Sequence, residues 1–154
     1  MQVLFADLQP SIVARSRTNP PDALARSAGV LAQAGKLRAC RSVSASCPEL
    51  LPELGREADM TAMLPRMCAS PFLDEATRDA LAAAGRKIMV LCGFATEVVV
   101  LHAARAAIEG GYRVLVPVDA CGGMSARTED AAFRQIEAAG AVTTSVVGIN
   151  RTGA

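Results

Sequence analysis

The sequence predicts a three-layer α/β fold, a Rossmann-like parallel sheet with helices on both faces. Uncharged apolar runs of strand length, Val3–Ala6, Ile88–Cys92 and Val114–Val118, alternate with helical segments that stop at glycine. Strands that are apolar along their whole length are buried on both sides, which is the environment inside a parallel sheet covered by helices. Size adds a third observation: 154 residues, 51% of them apolar, suffice for one domain with a sizeable core. Residues 1–154 read as one unit, with no internal repeat, low-complexity tract or linker.

The elements follow in order. Val3–Ala6 is a strand ending at Asp7, and a Pro/Ser/Arg/Asn loop leads to a helix over Asp22–Ala34 with Gly35 as its stop. Leu37–Val43 is a second strand. Residues 44–60 are irregular, with one helical turn at Glu49–Leu54, and Met63–Leu64 leads a short third strand into Arg66. Asp74–Ala84 is a helix capped by Asp74 and stopped by Gly85. Ile88–Cys92 is a strand, 97–109 a helix closed by Gly110 and Gly111, and Val114–Val118 a strand running into Asp119. Thr128–Ala139 is a helix stopped by Gly140, Val142–Val147 a final strand, and Asn150–Ala154 a frayed end.

Composition excludes several functions. A net charge of +1 supplies no long-range field for nucleic acid or an anionic surface. No apolar run reaches the roughly 20 residues that span a bilayer, and the first residues lack a basic, cleavable leader, so the expected location is the cytoplasm. Five cysteines without a Cys-x-x-Cys spacing are expected as reduced thiols. One histidine, His102, is too few for the usual paired-histidine metal site, so neither metal nor cofactor is expected. His102 is read as a helix-face residue with its ring nitrogens satisfied nearby.

In open parallel sheets, ligands bind beyond the carboxyl ends of the strands. That places Asp7, Arg66, the segment Phe94–Val99 and Asp119 at one crevice. Each has a plainer reading: Asp7 caps the next segment or pairs with Arg66, Arg66 is a solvated charge, Thr96 caps the helix, Glu97 stabilises its N-terminus, Asp119 orders the Gly122-Gly123 loop, and Tyr112 packs at a strand start. Val98, Leu101, Arg105 and Ile108 form a helix face that serves core or interface.

The turn Gly93-Phe94-Ala95-Thr96-Glu97-Val98-Val99-Val100 resembles the hallmark Gly-x-x-Thr-Asp/Glu-x-Cys-Val of the isochorismatase-like hydrolase superfamily, the cysteine hydrolases. Gly93, Thr96, Glu97 and Val100 match, and Val99 occupies the cysteine slot. Asp7-Leu8-Gln9 is similar to the family's Asp-x-Gln. The stretch Gly110 to Val114, Asp119-Ala120 and Ala139-Gly140-Ala141 also fit, and Arg66 with Glu97 resembles an arginine-bearing bacterial branch. The resemblance covers nearly the whole chain. It implies Asp7 as general base, Arg66 at the catalytic cation position, an oxyanion turn at Phe94, Ala95 and Thr96 with a cis Phe94-Ala95 peptide, and a substrate pocket bordered by Gln9, Glu97, Cys68 and Cys121. It also implies a small carbonyl or amide ligand and a homo-oligomer, a dimer or larger.

Thiolate chemistry needs a thiol whose pKa is lowered by a helix N-terminus and a nearby cation. A valine side chain has no lone pair and forms no covalent intermediate. Three readings follow: a homologue that keeps the pocket without cysteine hydrolysis; an active hydrolase using Asp7 acid/base chemistry or a relocated Cys68 or Cys121; and a structural or assembly protein. Cys92 is read as a small hydrophobe ending a buried strand.

Overall fold

Gln2–Ala6 (β1) forms the centre of the sheet because every side chain in it is buried, Val3 and Phe5 completely. Burying side chains of that size contributes about 1.5–3 kcal/mol each. The computed structural model describes residues 1–33, 36–42, 49–54 and 63–151. Around β1 the strands Lys36–Ser42 (β2), Met63–Arg66 (β3), Ile88–Phe94 (β4), Arg113–Pro117 (β5) and Val142–Thr144 (β7) lie in the order β3-β2-β1-β4-β5-β7, all parallel. Cys121–Gly122 (β6) adds a two-residue pairing to the end of β4.

The helices are Pro10–Val13 (α1), Pro21–Ala32 (α2), Glu75–Ala83 (α3), Leu101–Glu109 (α4), Ala126–Ala138 (α5) and Val146–Arg151 (α6). The connection β1-α2-β2 runs one way from the sheet centre and β4-α4-β5 the other. With right-handed crossovers, α2 and α4 therefore cover opposite faces. The fold class is the expected three-layer α/β arrangement.

Several boundaries differ from expectation for identifiable reasons. The strand at the turn extends to Phe94 because Gly93 and Phe94 pair with Cys121 and Gly122. The Val142–Val147 run is a strand only to Thr144. Val146–Arg151 is helical, its first N–H bonded to Asp119 Oδ1 at 2.9 Å, so Asn150 and Arg151 belong to a helix rather than a frayed end. Asp119 thus holds α6, not the Gly122-Gly123 loop. Helix α5 begins at Ala126 because Ser125 caps it, its Oγ accepting from the Thr128 N–H at 3.2 Å. Asp74 caps α3 as expected, accepting from the Thr77 N–H at 3.0 Å. Helix α2 ends at Ala32, and the expectations for Gly35, Val43 and much of 44–60 lie outside the described residues. Residues 52–54 form the expected single helical turn.

The segment read as one helix over 97–109 begins instead with a π-turn, Thr96–Val100. There the N–H groups of Val98, Val99 and Val100 all donate to the Ala95 carbonyl, at 3.2, 3.0 and 3.3 Å. A π-turn accommodates one more residue than an α-turn and rotates the following face. The buried side of α4 is therefore Leu101, Ala103, Ala104 and Ala107, while Val98 and Arg105 are exposed. His102 is exposed too, with no hydrogen-bond partner among the described residues, contrary to its expected satisfied environment. Tyr112 does pack at the start of β5, edge-on to Phe72 with ring centroids 6.4 Å apart.

Gly93 fixes how closely β1 and β4 approach. Its φ is +132°, and a Cβ there would lie 2.0 Å from the Ala6 carbonyl oxygen. Gly85, at φ +64°, has open space around it. Denaturant unfolding should therefore separate two chemically identical substitutions: Gly93→Ala loses more than about 4 kcal/mol or fails to fold, and Gly85→Ala loses about 1–2 kcal/mol. Equal losses would contradict this account of the strand contact.

Candidate functional site

The strand order reverses between β1 and β4, and their carboxyl ends open a crevice at that switch point. Asp7 leaves β1 with φ 51°, a left-handed conformation that aspartate tolerates better than most residues. Its carbonyl accepts from the Gln9 N–H at 2.8 Å, which turns the chain into α1. The Asp7 carboxylate is almost fully buried and meets Arg66, whose side chain is 13% exposed. Arg66 Nε donates to Oδ1 at 3.1 Å, Nη2 donates to Oδ2, and Nη1 donates to the Cys68 carbonyl. The pair therefore ties the end of β3 to the end of β1 across β2 by a forked, charge-assisted contact.

A cavity of about 270 Å³ lies over this pair, lined by Asp7, Ile12, Arg15, Arg66, Phe94, Ala95, Val98, Val99 and Met124. The Phe94-Ala95 peptide is cis. Val99 comes from the π-turn and is 3% exposed. Its isopropyl group shares the cavity with the Asp7–Arg66 pair, at the position where the sequence pattern expects sulfur.

Five of the candidate residues, Asp7, Arg66, Phe94, Ala95 and Val99, are thus brought together, and the others are not among the cavity lining. Thr96 does not cap a helix. It is fully buried behind the turn, its hydroxyl 3.1 Å from the Gly122 carbonyl and 2.7 Å from Glu129 Oε1, and the N-cap position is Ala95. Glu97 serves a helix N-terminus, but that of α5: its Oε1 accepts from the Met124 N–H at 2.8 Å and the Thr128 hydroxyl at 2.7 Å. Gln9 is fully buried beside the Asp7 turn. Cys68 is exposed beyond β3, its Sγ 3.4 Å from the Ser70 carbonyl. Cys121 is fully buried in β6.

Sequence reasoning did not single out Ile12, Arg15 or Met124 for this site. Ile12 lies in α1, the helix that follows β1, and Arg15 two residues past the end of that helix. Met124 arrives through the pairing of β6 with β4, a long-range contact with no local signal. Among the described residues no three His, Cys, Asp or Glu side chains converge as a metal site would require.

A parallel sheet with a carboxylate–cation pair beside the turn at its switch point is the arrangement that the turn's resemblance to the isochorismatase-like hydrolases implies. The chain belongs to that family: the Isochorismatase domain matches residues 3–147. It is similar to YcaC from Pseudomonas aeruginosa, solved with hexane-2,5-diol and covalent acrylamide, with 26% identity, a TM-score of 0.88, and coverage of 96% of this chain and 77% of that one. The YcaC gene product of Escherichia coli, an octameric hydrolase of unknown specificity, gives 27% identity and a TM-score of 0.87 over 96% of this chain and 76% of that one. Pyrazinamidase/nicotinamidase from Streptococcus mutans UA159 shares the fold, with 16% identity, a TM-score of 0.79, and coverage of 94% and 100%. No curated protein matches the sequence. No described helix is long and apolar enough to cross a membrane.

The two cysteines considered as replacement nucleophiles differ in environment. Burial pushes the Cys121 thiol pKa far up, with the Glu129 and Asp119 carboxylates adding to the effect and a backbone hydrogen bond to Gly93 opposing it. A raised pKa keeps the thiol protonated, and the thiol is a poor nucleophile. Iodoacetamide applied to the native protein near the ordinary thiol pKa of about 8.5 should alkylate Cys68 and leave Cys121 and Cys92 unmodified until the chain unfolds. Peptide mass mapping that finds Cys121 modified as fast as Cys68 would contradict this burial.

Proposed function

We propose that this isochorismatase-family chain keeps a pocket for a small carbonyl or amide compound and lacks cysteine-based amide hydrolysis. The observation that carries the reading is Val99: it lines the cavity beside Asp7 and Arg66, where the family pattern has cysteine. Asp7 there orients Arg66 and accepts hydrogen bonds, and the aliphatic Val99 supplies packing surface in place of a nucleophile.

Relocation of the nucleophile is disfavoured. Cys121 is fully buried, and neither Cys68 nor Cys121 lines the cavity. Acid catalysis by Asp7 alone retains one supporting observation, its place in the cavity wall. Against it, a proton on the carboxylate would compete with the guanidinium that both oxygens already engage. The octameric state of the E. coli YcaC supports assembly of this chain into a homo-oligomer, and Cys68, Cys92 and Cys121, free thiols among the described residues, suit a cytoplasmic protein.

The test compares the wild-type chain with Val99→Cys on a panel of amides, imides and vinyl ethers, and treats both with acrylamide. The wild type is expected to turn over none of them and to carry no adduct at position 99, whereas Val99→Cys gains an acrylamide adduct there and measurable amide hydrolysis. Wild-type turnover that Asp7→Ala abolishes would overturn the reading in favour of acid/base catalysis.

A further inference from the structure

Among the described residues that line the cavity, the charges do not cancel. Asp7 and Arg66 neutralise one another, and the remaining ionic side chain in the lining is Arg15. Its guanidinium carbon lies 5.9 Å from the centroid of the Phe94 ring, which is itself part of the cavity wall. Arg15 has no ion pair or hydrogen bond among the described residues, so its five N–H donors are uncommitted. Arg66 by contrast spends donors on both Asp7 oxygens and on the Cys68 carbonyl. The rest of the wall, Ile12, Phe94, Ala95, Val98, Val99 and Met124, is apolar.

We infer that the cavity selects a small monocarboxylate with an apolar body, and that Arg15 is the specificity-determining residue that binds the carboxylate. This inference rests on reading the cavity as a ligand pocket. Arg15 is exposed and its guanidinium carbon is 5.9 Å from the Phe94 ring centroid, within reach of cation–π attraction, and its planar fork can meet a carboxylate with two parallel N–H···O bonds. The apolar wall takes the body of the ligand, and Val99 extends that wall where a thiol would present a polar atom. A neutral amide of the same shape makes the apolar contacts but leaves the guanidinium without an anion.

The experiment titrates benzoate and benzamide into isotope-labelled full-length protein and follows the amide resonances of Ala95, Val98 and Val99 by NMR. Wild type is expected to bind benzoate at least about tenfold more tightly than benzamide, a preference that shrinks as salt is added. Arg15→Met, which keeps an apolar stem, should bring the benzoate Kd to that of benzamide and move the benzamide Kd less than about threefold, and Arg15→Lys should keep part of the preference because it retains charge without the fork. Equal Kd values in the wild type, or a benzoate preference that survives in Arg15→Met, would overturn the assignment and leave the pocket reading standing. Absence of binding by both probes, or shifts confined to other regions, would overturn the pocket reading and this inference together.

Discussion

The contact on which the rest of the site depends is the buried ion pair between Asp7 and Arg66. Removing one partner of a buried pair leaves an uncompensated charge, at about 3–5 kcal/mol, so the two side chains hold each other in place whatever chemistry surrounds them. Because Asp7 leaves β1 and Arg66 ends β3, the pair staples the ends of two strands that do not touch each other in the sheet. It also forms the polar floor of the cavity. The cis-peptide turn, Val99 and the aromatic ring of Phe94 close over that floor from β4.

The sheet makes this geometry available. Ala6 pairs with Gly93, and only a residue without a Cβ lets β4 pass so close to the Ala6 carbonyl. That approach sets Asp7 beside the turn that follows Phe94. The π-turn then fixes the phase of the chain, with Val99 and Val100 buried and Val98 exposed at the rim. Strand order, one glycine and one irregular helical turn together decide which side chains see the cavity. None of these devices involves a thiol.

Much of this was legible in the sequence, for physical reasons. The strands around Val3–Ala6 and Ile88–Cys92 are apolar throughout because both faces are buried, and the helices that end near Gly85, Gly110 and Gly140 carry local stop signals. Asp7, Arg66 and Val99 were legible because strand carboxyl ends converge and because the turn keeps a recognisable spacing. What escaped the sequence depends on contacts far along the chain. The helix at Val146–Arg151 exists where an apolar run suggested a strand, held at its start by Asp119 from another loop. Glu97 serves helix α5 rather than the pocket, and Thr96 turns toward Glu129, because the β6–β4 pairing brings residues 121–129 against the turn. Arg15 lies in a loop whose composition shows no more than a surface charge, and only the closed fold sets it over Phe94.

The central claim is that a carboxylate–guanidinium pair, independent of any thiol, organises this pocket. A double-mutant cycle on stability, with Asp7→Ala, Arg66→Ala and both together measured by denaturant unfolding, tests it most directly. A coupling energy of about 2 kcal/mol or more is the predicted result. Additivity of the two single changes within about 0.5 kcal/mol would contradict it.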